Sequence, residues 1–165
     1  AEASFIQAIA LKPDYAEAHY SLGVTLQELS RLDEAIESSQ QAIKLKPDFA
    51  AAYDNLGIAL RESNLLEEAE LEYKRALSLS PNDTGIMLNY SLVLNFMGKS
   101  DPEVNLLQKI LQIDTNEGDL RAGVRLGILK FLENDFIGSK KQLLAANNIQ
   151  GKTTFKFQNE KIFHG

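Results

Sequence analysis

Apolar side chains return along this chain in two superimposed rhythms. The short rhythm is helical. Ala18, Leu22, Leu26 and Leu29 form one stripe, and Ala35, Ile36, Ala42 and Ile43, with Ser39, form the next. Such spacing places each set on one face of a helix. Between the stripes lies the polar segment Ser30-Arg31-Leu32-Asp33-Glu34, a turn with Asp33 placed to cap the helix that follows. Pro47 comes after the second stripe, where a helix stops. The predicted element is a pair of antiparallel helices.

The long rhythm has a period of 34 residues. Pro13, Pro47 and Pro81 keep it, and so do Leu22-Gly23 and Leu56-Gly57, continued by Tyr90-Ser91. Ala35 and Ala69 share it, as do Ala8, Ala42 and Ala76, continued by Ile110. One helix pair cannot bury both its apolar faces, whereas like pairs stacked on each other can. Glycine inside a helix costs about 1 kcal/mol relative to alanine. Its return at one register therefore predicts a close approach of helices there.

These residues carry a resemblance. Tyr53-x2-Leu56-Gly57-x2-Leu60 followed by Ala69-x3-Tyr73-x2-Ala76-x4-Pro81 resembles the unit of tetratricopeptide repeat proteins. The copy before it reads His19-x2-Leu22-Gly23-x2-Leu26, then Ala35-x3-Ser39-x2-Ala42-x4-Pro47. The copy after it is bulkier: Met87-x2-Tyr90-Ser91-x2-Leu94, then Glu103-x3-Leu107-x2-Ile110, with Asp101-Pro102 opening its second helix. A fourth returns at Leu126-Gly127, which implies two added residues in the turn 115–119. Asn134-Asp135-Phe136 then fits its inner turn, and Ser139-x3-Leu143-x2-Ala146 its second helix. The resemblance implies an all-α fold, a right-handed superhelical solenoid of antiparallel helix pairs with about ten helices and no sheet.

On this register residues 1–151 form the array: a partial unit at 1–13, then units at 16–49, 50–83, 84–117 and 118–151. Residues 152–165 read as the start of a further or capping helix, with Phe155, Phe157, Ile162 and Phe163 offering apolar surface. Units cut at both ends, and a first residue other than Met, lead to the expectation of a piece of a longer protein.

Composition narrows the function. Of the 165 residues 44% are apolar and 24% charged, as in a folded, soluble chain, and the net charge of −6 argues against a nucleic-acid partner. The charge is uneven: residues 1–83 carry 7 basic and 15 acidic side chains, and 84–165 carry 10 and 8. There is no cysteine, which excludes disulfides, thiolate zinc sites and cysteine nucleophiles and suits a reducing compartment, so a cytoplasmic location is expected. No run approaches 18 apolar residues, so no membrane partner is expected.

Catalytic chemistry finds no support. His19 holds the bulky position that Tyr53 fills one unit later and reads as a packing residue; His164 lies in the tail. Two separated histidines make neither a metal cluster nor a triad. Glu67, Glu68, Glu70 and Glu72 read as a solvated face, and Asn82-Asp83-Thr84 as an inter-unit turn. No enzyme activity, metal or cofactor is expected within these residues.

The expected function lies on the first helices of the units, which in the resembled architecture line the inner groove. Asn55 and Asn89 precede the Leu-Gly position in their units, with Ser21 and Arg125 at the same register on either side and Asn159 in the tail. This resembles the asparagine ladder in the repeat region of O-linked N-acetylglucosamine transferases. That resemblance implies an extended peptide held by its backbone, since a primary amide both donates and accepts. Arg121 and Arg125, one helical turn apart, also resemble the carboxylate clamp of chaperone-binding repeats, although Glu17, Asp54 and Glu62 stand at the end where that clamp needs a basic residue. The predicted function is a non-catalytic scaffold binding a peptide or partner segment through Asn55, Asn89, Arg121, Arg125 and Ser21. That partner is a protein, acidic where it meets the C-terminal end of the groove. The alternatives are the substrate-recruiting or oligomerising arm of a larger enzyme, such as a glycosyltransferase, and a solenoid that self-associates through its open ends.

Overall fold

The computed structural model describes residues 1–113 together with Gly123, Leu126 and Gly138. The described residues form helices and turns without a strand: α1 Glu2–Leu11, α2 Ala16–Glu28, α3 Leu32–Leu45, α4 Ala50–Glu62, α5 Leu66–Leu79, α6 Thr84–Phe96 and α7 Ser100–Ile113. The first helices of successive pairs begin at Ala16, Ala50 and Thr84, and Pro102 sits in the first turn of α7. The chain divides into two compact units, Ala1–Leu106 and Leu107–Gly165. In the second, Leu107, Ile110 and Leu126 are fully buried. The turn expected at 115–119, Arg121, Arg125, Gly127, the expected segments at 134–136 and 139–146, and the tail with Asn159 and His164 lie outside the described residues. So do the helices that would bring the expected number to about ten.

In Ala1–Leu106 each tight turn between paired helices is made the same way. Ser30, Asn64 and Gly98, one per unit, adopt φ of 58°, 61° and 68°. The next residue's N–H then reaches back five residues: Arg31 to the Leu26 carbonyl, Leu65 to Leu60, and Lys99 to Leu94. This left-handed closure satisfies carbonyls at the helix end that would otherwise lack partners. It also starts α3 at Leu32, with Arg31 at the cap position and no side-chain cap bond. The expected cap, Asp33, is instead an acid in the first turn, where it complements the helix dipole.

The turns between units follow a second recipe. Tyr15 and Phe49 stand at the cap positions of α2 and α4 without capping them, and Lys12 and Lys46 lie over their rings at 5.3 and 4.8 Å. The His19 ring shares a hydrogen bond with the Pro13 carbonyl at 3.0 Å, and the Tyr53 hydroxyl donates to the Pro47 carbonyl at 3.2 Å, one unit on. In the third unit the device changes: Asp83 caps α6 by accepting from the Ile86 N–H at 3.1 Å.

The core follows the predicted stripes. Leu56, Leu60, Ala69, Tyr73, Tyr90 and Leu94 form its main cluster, and Leu26, Ala35 and Ala59 a smaller one. The glycines mark the closest approaches. A Cβ at Gly23 would come within 2.8 Å of the Ser39 Oγ, and one at Gly57 within 2.9 Å of the Tyr73 ring.

The acids of α5 are not a uniformly solvated face. Glu70 accepts from the Tyr90 hydroxyl at 3.1 Å and pairs with Lys74 and Lys99. Burial opposes its charge, but those hydrogen bonds and charges prevail and hold its carboxyl at about 2. Glu72 is buried and pairs with Arg75 at 2.7 Å. The expected solvated face therefore applies to Glu67 and Glu68, which are exposed.

Candidate functional site

Within Ala1–Leu106, the backbones of α2 and α4, and of α4 and α6, come close together, whereas those of α3 and α5 do not. The stack closes on the side of the first helices, and that side presents equivalent positions in register. Tyr20, Asp54 and Leu88 form one rung; Ser21, Asn55 and Asn89 the next; Val24, Ile58 and Leu92 the one beyond. Tyr20 packs its ring against Phe49 of the next unit at 5.0 Å.

The two asparagines occupy different environments. Asn55 is 4% exposed and its amide donates to the Ser39 Oγ at 2.8 Å, while Ser39 donates to the Ala35 carbonyl at 2.8 Å. This chain runs inward between α2, α3 and α4, over Gly23. Asn89 is half-buried, and its amide donates to both carboxylate oxygens of Asp54, at 3.0 and 3.3 Å. The cause lies one helix over. Ser39 and Tyr73 hold the same register, and the Tyr73 ring fills the space that Asn55 uses in the preceding unit. Ser21 is half-buried, and its carbonyl accepts from Thr25 at 2.9 Å.

Asp54 thus belongs to the same cluster as Asn89. Its carboxyl is pushed up chiefly by burial, with a smaller push from Asp83, against the Asn89 hydrogen bond and the charge of Arg61. Near it, Glu62 accepts from Gln27 of α2 at 3.2 Å and from Arg61 at 3.3 Å. Tyr73 is fully buried, stacks on Tyr90 at 6.0 Å, and its hydroxyl has no hydrogen-bond partner. A tyrosine at the bulky position of the Ala-x3-bulky pattern was visible in the sequence, but its unpaired hydroxyl was not.

Family models agree with the repeat. Two matches to the TPR repeat cover residues 1–30 and 28–64, and the tetratricopeptide repeat matches residues 50–83. The chain belongs to the tetratricopeptide repeat family. No curated protein matches it closely enough to supply more. Among solved structures of tetratricopeptide-like architecture, MamA superposes with a TM-score of 0.83 at 22% identity, covering 92% of this chain and 87% of that one. MamA from Desulfovibrio magneticus RS-1 gives 0.81 at 15% identity, with 93% and 86% covered. The pilF protein of Pseudomonas aeruginosa gives 0.80 at 22%, with 91% and 67% covered. At these identities the likeness is one of fold.

Among the described residues of this tetratricopeptide chain, no group of three His, Cys, Asp or Glu side chains is placed to hold a metal ion, and no helix is long and apolar enough to cross a membrane. Of the expected anchors, the structure sets Ser21, Asn55 and Asn89 on successive first helices. Arg121 and Arg125 lie outside the described residues.

Proposed function

We propose that the chain is a non-catalytic interaction scaffold whose first helices hold an extended segment of a partner protein. Ser21, Asn55 and Asn89 are its polar anchors in the described part, with Arg121 and Arg125 receiving the acidic part of the segment. The observation that supports this reading is the face formed by α2, α4 and α6. Consecutive first helices touch there and bring like positions into register, so polar and apolar positions recur along it, with the Asn89 amide the more accessible of the two. An extended peptide repeats its own N–H and C=O groups, and an amide can meet either. Asn89 carries the larger share of the grip. Each amide already has an acceptor, Asp54 for Asn89 and Ser39 for Asn55, but Asn89 is half-buried whereas Asn55 is 4% exposed.

Peptide-array binding by the labelled full chain tests the reading. Binding sequences should lose about tenfold in affinity with Asn89→Ala and less with Asn55→Ala. Retention of full affinity in the double variant, with the fold intact by circular dichroism, removes the asparagines from the function. Light scattering across concentration separates this reading from the self-associating solenoid: a constant monomer mass favours the scaffold.

A further inference from the structure

The face of the first helices changes chemistry from α2 to α6. On each helix a half-buried apolar residue is followed one turn later by a residue of a single register: Val24 by Glu28, Ile58 by Glu62 and Leu92 by Phe96. All three of these end residues are exposed. Helix stability explains none of them. Glu28 and Glu62 are the last residues of α2 and α4, where the helix dipole disfavours a carboxylate. Arg61 and Gln27 meet Glu62 at 3.3 and 3.2 Å, but no ion pair reaches Glu28 among the described residues. Phe96 leaves an aromatic ring in water, 67% exposed.

That ring is not an isolated apolar residue. Helix α6 has no charged side chain from Thr84 to Phe96. One side of it is buried through Ile86, Met87, Tyr90, Val93 and Leu94. A helix apolar on every side is normally covered on every side. Yet Leu92 and Leu88, one and two turns before Phe96, are only half-buried, and none of the three joins the two core clusters described above. Apolar side chains grouped in this way, with polar residues around them, mark a contact surface. Its setting is acidic: over α2, α4 and α6 together, Glu17, Glu28, Asp54 and Glu62 stand against one base, Arg61.

We propose that the segment held by the first helices is both apolar and basic. A large apolar side chain packs on Leu88, Leu92 and Phe96, and a lysine or arginine beside it pairs with Glu62 and Glu28. This rests on the peptide reading above and names the chemistry of what is held. A cation at the ends of α2 and α4 removes the conflict between dipole and carboxylate. A bulky side chain on α6 takes the exposed ring out of water. Glu62 and Phe96 share a register on helices that approach each other, so one short segment meets both. Arginine has the further option of laying its guanidinium on the Phe96 ring.

The test uses libraries of short fluorescein-labelled peptides, random except for two fixed central residues, titrated with the full chain. The fixed pairs are lysine with phenylalanine, glutamate with phenylalanine, and lysine with serine, each in both orders. The lysine and phenylalanine library should bind about tenfold tighter than either of the others. Phe96→Glu, which gives α6 the residue of α2 and α4, should erase the advantage of phenylalanine over serine. The double variant Glu28→Gln, Glu62→Gln should erase the advantage of lysine over glutamate, and high salt should do the same to the unaltered chain. All three residues are exposed, so neither variant should lower the thermal midpoint. Libraries that bind alike, or preferences that survive these variants, overturn the proposal; if Asn89→Ala still weakens their binding, the peptide reading stands. Binding of no library overturns both. A dimer in light scattering that Phe96→Glu splits makes a second copy the occupant and overturns the proposal as well.

Discussion

The pairs α2–α3 and α4–α5 share one register yet solve the same packing problem with opposite chemistry. In α2–α3 a small Ser39 leaves room, and the Asn55 amide turns inward to fill it. In α4–α5 a Tyr73 ring takes the room, and the equivalent Asn89 is left half-buried, bonded to Asp54. One residue on a second helix thus decides whether an asparagine on a first helix belongs to the core or to the surface. A repeat can therefore change which polar groups its first helix exposes without altering a residue of that helix.

The comparison breaks most severely at Gly57. Gly57→Val should destabilise the chain by about 3 kcal/mol in urea unfolding, because the fully buried Tyr73 ring has nowhere to move. Gly23→Ala should cost about 1 kcal/mol or less. The Ser39 hydroxyl it meets at 2.8 Å must give way, but the helix gains propensity. Ser39→Ala costs more than Gly23→Ala, because it strips the buried Asn55 amide of its acceptor. A loss of about 2 kcal/mol is expected, and an unchanged midpoint would show that Asn55 rotates freely to solvent.

Two half-buried carboxylates, Glu70 and Asp54, sharpen the contrast by titrating in opposite senses. Glu70 is held at about 2 against an ordinary 4.5, so its stabilisation is complete above pH 4.5 and is lost as the pH falls toward 2. Asp54 is pushed above its ordinary 3.8, so its charged form costs stability at neutral pH, and that cost disappears on acidification. Asp54→Asn should therefore raise the midpoint at pH 7, and the gain should vanish below about pH 3.8. Glu70→Gln should lower it at pH 7 and matter little near pH 2. The smallest expected effect is at the turns. Ser30→Gly and Asn64→Gly should each stabilise by about 0.5 to 1 kcal/mol, since glycine already serves at the equivalent Gly98.

The helix pairs were legible because they rest on local spacing and a fixed period, both present in any stretch that contains Pro13, Leu22-Gly23 and Ala35. The cap at Asp33 was misread because the left-handed residue Ser30 closes the turn early and starts α3 before the acid is reached. The partners of Glu70 were hidden for a different reason. Tyr90 and Lys99 lie 20 and 29 residues away, and pairing at that range depends on how two units dock. The orientation of Asn55 was equally out of reach, since it depends on the size of a residue 16 positions earlier on another helix. The asparagine register itself could be read; which asparagine faces outward could not.

Helix α4 has a further consequence, for folding. It touches α2, α3, α5 and α6, and no contact joins α1 or α2 directly to α5 or α6. Contacts in such an arrangement join only neighbouring helix pairs, which favours rapid folding, and α4 has a neighbour to grow onto in either direction. The same helix carries Asp54, Asn55 and Gly57. A ligand seated on it would therefore brace the helix that joins its neighbours on both sides, and by mass action the segment Ala1–Leu106 would gain stability in proportion to the logarithm of ligand concentration.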